Sequence, residues 1–163
     1  LKTLLITAAV IVAAAVVLLL LLALLSRSGK VPGLVDGKLS PCPSTPNCVC
    51  SEYADDARHY IEPLSLSAAT GVAHRADVVA AIEEIDGEIQ LLDDHYVGAT
   101  FSSALFGFVD DVEIRIDKGG ELIHFRSASR VGYSDGGVNR NRVHRLKSLI
   151  ESNTAAETPA AGG

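Results

Sequence analysis

From Leu4 to Leu25 the chain runs 22 residues without a charge, a proline or a glycine. At about 1.5 Å rise per residue a helix of that length spans roughly 33 Å, the thickness of a bilayer's hydrocarbon core. A cleaved signal peptide has a shorter apolar core ending in small residues, whereas Leu24 and Leu25 lead straight into Ser26 and Arg27. An uncleaved transmembrane anchor over residues 1–26 is therefore expected. No cysteine follows the run to carry a lipid, and a segment apolar all round is too long to be the core helix of so small a domain. Lys2 flanks the run on one side and Arg27, Lys30 and Lys38 on the other, which leans slightly towards a cytoplasmic domain and leaves the side open.

Beyond Leu39 the chain holds 10 basic and 19 acidic residues, a net charge of −9. Nucleic-acid binding needs a basic surface that displaces counterions, so that partner class is excluded on charge. Residues 27–40 are rich in glycine, proline and small polar side chains and read as a tether. The folded part is expected over residues 41–150, about the size of one domain. Residues 151–163, alanine- and glycine-rich without apolar periodicity, read as a disordered tail.

Within the domain, His74, Val78, Ile82 and Ile85 recur at helical spacing, predicting a helix from about Arg75 to Ile85 with Gly87 as its left-handed cap. Three or four short strands are expected next, at 88–92, 95–103, 111–117 and 121–128. In the third, Val112, Ile114 and Ile116 alternate with Asp111, Glu113, Arg115 and Asp117, the signature of a half-buried antiparallel strand. A two-residue turn at Lys118 and Gly119 would set Ile114 opposite Ile123, Val112 opposite Phe125, Asp111 opposite Arg126 and Glu113 opposite His124. Asn139 is then positioned to cap a last helix whose buried stripe is Val143, Leu146, Leu149 and Ile150. The order helix, strand meander, helix predicts an α+β fold with both helices on one face of an antiparallel sheet.

Two segments carry chemistry. In PCPSTPNCVC, residues 41–50, Cys42, Cys48 and Cys50 crowd a turn-rich stretch. A closed zinc site takes four ligands, and no CxxC or paired histidines accompany them, so no metal is expected. A Cys42 to Cys48 disulfide fits a chain bent at Pro43 and Pro46 on an oxidising side of the membrane; three reduced thiols fit a cytoplasmic domain. The second segment joins FVDDVEIRID, residues 108–117, to HFRSASRVGYSDGGVNRNRV, residues 124–143. These stretches, with PNCVCSE, resemble the bacterial family of domains of unknown function numbered 1499. The resemblance implies a single compact domain, often attached to a cell envelope, with no established reaction; together with the apolar run, the bacterial inner membrane is the expected location. It sets Asp110, Asp111, Arg126, Ser127, Ser129, Arg130, Tyr133, Asp135, Asn139 and Arg140 in one shared pattern.

Chemically that pattern combines guanidiniums, carboxylates, hydroxyls and a Ser-Asp-Gly-Gly turn before a helix. Arginine forks and helix N-terminal amides can hold a small anion. Asp110, Asp111, Arg126, Ser129, Arg130, Tyr133, Asp135, Asn139 and Arg140 are thus candidate ligand-binding residues for an anionic or lipid-derived molecule, with a membrane-protein partner as the alternative. An enzyme would use Asp110 or Asp135 as base, Tyr133 or Ser129 as proton donor or nucleophile, and Arg126 or Arg130 against negative charge. The bland reading pairs these arginines with the aspartates as a structural network. His124 faces Glu113 and His74 lies on an apolar stripe, neither beside a GxSxG or a P-loop, and no cofactor motif is present. Arg140, Arg142, Arg145 and Lys147 form either a solvated helix face or one drawn to anionic headgroups.

Overall fold

A computed structural model describes residues 1–66, 75–119 and 121–157. The apolar run forms helix α1, Lys2–Arg27, the one helix among the described residues long and apolar enough to cross a membrane. Then follow the short hairpin β1, Leu34–Val35, and β2, Lys38–Leu39, and the strands β3, Cys48–Cys50, and β4, Leu64–Ser65. Helix α2, Arg75–Glu84, precedes a meander of β5, Glu88–Asp93, β6, Tyr96–Ser102, β7, Val109–Ile116, and β8, Leu122–Ser129. Helix α3, Val138–Glu157, closes the domain. The six-stranded sheet runs β3-β8-β7-β6-β5 with β4 also on β8, every pairing antiparallel. This is the expected α+β arrangement.

Helices α2 and α3 cover one face. Val78, Ala81 and Ile82 from α2 and Val143, Leu146 and Ile150 from α3 meet Val97, Val112, Ile114, Ile123 and Phe125 in the main core. His74 lies outside the described residues. Asp86 takes the left-handed conformation at the end of α2, with φ 62°, where Gly87 was expected to. Gly87 is required for space instead, because a Cβ there would come within 2.5 Å of both Ile82 and Phe101.

The β7–β8 register differs from expectation by two residues: Ile114 faces Phe125, Ile116 faces Ile123, and Glu113 faces Arg126. Asp117 still pairs with Leu122 through a 2.9 Å backbone bond, so the connection has four residues rather than two. A two-residue slip preserves which side chains face the core, so apolar patterning does not separate the two registers. Nor does charge pairing, since either register sets a β7 carboxylate opposite Arg126; in the structure it is Glu113, which reaches Arg126 Nη1 at 2.9 Å.

The opposite sheet face is also covered, and the residues read as a tether do it. Val31 and Leu39 are buried there with Cys50 and Tyr96, and the Gly33 amide donates to Glu113 at 3.0 Å. Composition pointed to a linker because residues 27–40 are rich in glycine, proline and small polar side chains, yet burial of Val31 and Leu39 lays that stretch along the sheet. At the other end α3 continues to Glu157, seven residues past the expected limit. Thr154 is buried, and residues 158–163 lie outside the described part.

Candidate functional site

Alternation along β7 and β8 divides the predicted constellation between the two faces of the sheet. Asp110 points to the helix side, where Arg142 Nη2 donates to it at 2.8 Å. Asp111, its neighbour, points the other way and is gripped by Arg130: Nε donates to both carboxylate oxygens at 3.0 Å, and Nη2 to one at 2.6 Å.

On the helix side the network is nearly closed. Ser127 donates to Asn139 Oδ1 at 2.5 Å, and Arg142 donates to the same oxygen at 2.7 Å. Asn139 Nδ2 donates at 3.0 Å to both the Asn47 carbonyl and Ser129 Oγ. Asn47 in turn donates to the Gly132 carbonyl at 2.8 Å. The PNCVC stretch and the Ser-Ala-Ser-Arg stretch, far apart in sequence, therefore form one contact surface, with Cys48 opposite Ala128 and Cys50 opposite Arg126. Asn139 is buried inside α3 and does not cap it. The cap is Asp135, whose carboxylate accepts from the amides of Gly137 at 3.1 Å and Asn139 at 2.7 Å. Gly136 and Gly137, both at positive φ, fold the chain back so that this carboxylate reaches the helix start.

On the opposite face Glu113 is fully buried. It accepts from Tyr96 at 2.8 Å, from Arg126 at 2.9 Å and from the Gly33 amide. Burial pushes its carboxyl upward, and the Arg126 guanidinium, Tyr96 hydroxyl and Gly33 amide oppose that shift. Burial and the Glu113 charge push the Tyr96 hydroxyl up as well. Cys50 lies beside this cluster as a buried free thiol, and burial raises it to about 11. Cys42 and Cys48 are joined in a disulfide with their Cα atoms 5.7 Å apart.

The remaining candidates scatter. Tyr133 is 68% exposed, and Arg140 donates to the Tyr60 carbonyl at 2.9 Å. Arg142, read as part of a charged helix face, stacks over Phe101 at 4.7 Å. Lys147 donates to the Glu62 carbonyl and lies over Phe125, and burial lowers its pKa. Sequence reasoning missed Glu113, Tyr96, Asn47 and Arg142 as network members. For Glu113 the signal was present, since period-two alternation puts it on the same face as Asp111.

The end of α1 is built into the domain. Ser26 Oγ accepts from the Val109 amide at 3.1 Å, and the Ser26 carbonyl accepts from Arg130 Nη1 at 3.0 Å. Arg130 thereby satisfies a terminal helix carbonyl with a cation, which the helix dipole favours. Beside this junction opens a cavity of about 320 Å³ between α1 and the domain. Its apolar walls are Leu19 and Leu22 from α1, Phe108 and Val109 entering β7, Val131 after β8 and Val138 at the start of α3; Asp110, Ser129 and Asp135 line it too. A second, polar cleft of about 340 Å³ shares Val109 and is lined by Arg27, Arg130, Gln90 and Ser102. Arg130 is committed to Asp111 and Ser26, whereas Arg27 makes, among the described residues, one long bond, 3.5 Å to the Gly107 carbonyl.

The fold and this junction define the class: an α+β domain carried on an apolar helix of membrane-spanning length, with a cleft where the two meet. Residues 38–150 match the family model described as Protein of unknown function (DUF1499), and the chain belongs to that family. No curated protein matches the chain.

Proposed function

We propose that this is a single-pass protein of the bacterial inner membrane whose domain stands on the oxidising, extracytoplasmic side and binds a lipid at the membrane surface. The observation that carries the reading is the composition of the junction cavity: one wall is the apolar helix itself, at Leu19 and Leu22, and the other is the domain, at Phe108, Val131 and Val138. An occupant of such a cleft comes most directly from the bilayer, and an acyl chain suits its apolar lining. Arg27, in the polar cleft that shares Val109, is placed to meet an anionic headgroup. The Cys42–Cys48 disulfide supports the oxidising side, since cytosolic thiols are kept reduced.

The test is native mass spectrometry of the full chain released from detergent micelles containing phosphatidylglycerol and phosphatidylcholine. Wild type should retain one phospholipid, with phosphatidylglycerol preferred. Val131→Trp, which fills the cavity, should lower retention roughly tenfold, equivalent to about 1.4 kcal/mol. Arg27→Ala should erase the headgroup preference. Equal release from wild type and Val131→Trp would refute lipid binding in this cleft.

A further inference from the structure

The connection between β6 and β7, residues 103–108, reads Ser-Ala-Leu-Phe-Gly-Phe and contains no charge. A short loop between antiparallel strands on a soluble surface is ordinarily polar. Here Leu105 is 83% exposed, the most exposed large apolar side chain beyond α1 among the described residues. The loop is internally held, with the Phe108 amide donating to Ser103 Oγ at 2.9 Å, the Gly107 amide to the Ser103 carbonyl at 2.9 Å, and Phe106 edge-on to Phe108. Its exposed apolar side chains are therefore presented by a built turn.

Position gives the loop its meaning. Phe108 shares the junction cavity with Leu19 and Leu22, and the Gly107 carbonyl meets Arg27. Leu22 and Leu19 lie three and six residues inside the apolar run that ends at Leu25, which at about 1.5 Å per residue is roughly 4 to 9 Å below its end. Tyr133, an amphipathic ring of the kind enriched at membrane interfaces, is also exposed, and its chain neighbours Gly132 and Ser134 line the same cavity. The strand ends at Ser102, Val109 and Ser129 face α1, while the turn at Lys118 is at the opposite end of the sheet.

We propose that the residue 103–108 loop inserts into the outer part of the bilayer beside α1, with Leu105 and Phe106 among the upper acyl chains and Tyr133 at headgroup level. The domain is thus fixed to the membrane at two points, on a surface continuous with its own helix. The occupant is the lipid bilayer, and the proposal rests on α1 spanning it. The expected depth, on the order of 5 to 10 Å, is that of interfacially bound segments.

The chain has no tryptophan, so a single introduced indole reports one place. The full chain carrying Leu105→Trp, Tyr133→Trp or Lys118→Trp is reconstituted into phosphatidylglycerol and phosphatidylcholine vesicles, with and without acyl-brominated lipid. Leu105→Trp should emit blue-shifted and be quenched by brominated lipid at least about twofold more than Lys118→Trp, which aqueous iodide should quench instead. Tyr133→Trp should fall between them. Leu105→Trp quenched by iodide as readily as Lys118→Trp, or shielded from iodide yet not quenched by brominated lipid, would overturn the proposal, the first by a bare loop and the second by a loop covered with protein. If the chain fails to float with vesicles at all, the spanning helix itself is refuted and the insertion with it. None of these outcomes depends on a lipid being retained in the cleft.

Discussion

Burial holds the proton on Cys50 up to about 11, whereas an unfolded cysteine loses it near 8.5. Between those values the unfolded chain has already shed its proton and the folded chain has not. Stability from this group is therefore complete below about pH 8.5 and declines as pH rises towards 11. Urea unfolding of the full chain at pH 7, 9 and 10 should show this decline, and Cys50→Ala should flatten it over the lower half of the window. A wild-type profile indistinguishable from that of Cys50→Ala would show the thiol to be solvated. The same rule of environment explains the candidate site. Asp110 and Asp111 are adjacent candidates in sequence, but a strand sends neighbours to opposite faces, so they serve Arg142 and Arg130 separately. That division was legible from the period of β7. The cavity was not, because Leu19, Phe108 and Val131 belong to three segments whose meeting depends on tertiary packing.

Among the elements, α2, the meander and α3 were legible because their apolar periodicities are uninterrupted. Register was not, since a shift of two residues leaves the period-two pattern intact and only the loop length distinguishes the alternatives. Capping of α3 was misread for a related reason: Asp135 reaches the helix start only through two glycines at positive φ, a backbone path that a list of cap-forming residues does not contain. The junction of α1 with β7 and β8 turns on Arg130, which bridges Asp111 and the Ser26 carbonyl. Arg130→Ala should strand a nearly buried carboxylate and a helix-terminal carbonyl, lowering unfolding free energy by about 1 to 3 kcal/mol. Tyr133→Phe, at an exposed ring, should stay within about 0.5 kcal/mol of wild type. Denaturant unfolding of both variants checks this. An Arg130→Ala protein as stable as wild type would release Arg130 from its structural role and return it to the ligand-binding candidates.

At the scale of the molecule, residues 27–40 decide how the parts relate. As a free tether they would let the domain wander from the membrane; packed along the sheet, with Val31 and Leu39 buried and Gly33 bonded to Glu113, they make α1 and the domain one connected structure. Composition alone could not reveal this, because the side chains that fix the segment are few and two of their partners, Tyr96 and Glu113, lie about 60 to 80 residues away along the chain. A cleft between helix and domain exists only under that condition, and lipid binding in it is the central claim. The direct measurement is photo-crosslinking of the full chain in vesicles with a phosphatidylglycerol carrying a diazirine in its acyl chain, mapped by peptide mass spectrometry. The predicted result is label on the 131–138 segment in addition to α1, with the label at 131–138 lost and that on α1 kept when Val131→Trp fills the cavity. Label confined to residues 1–25 in the wild-type protein would contradict it.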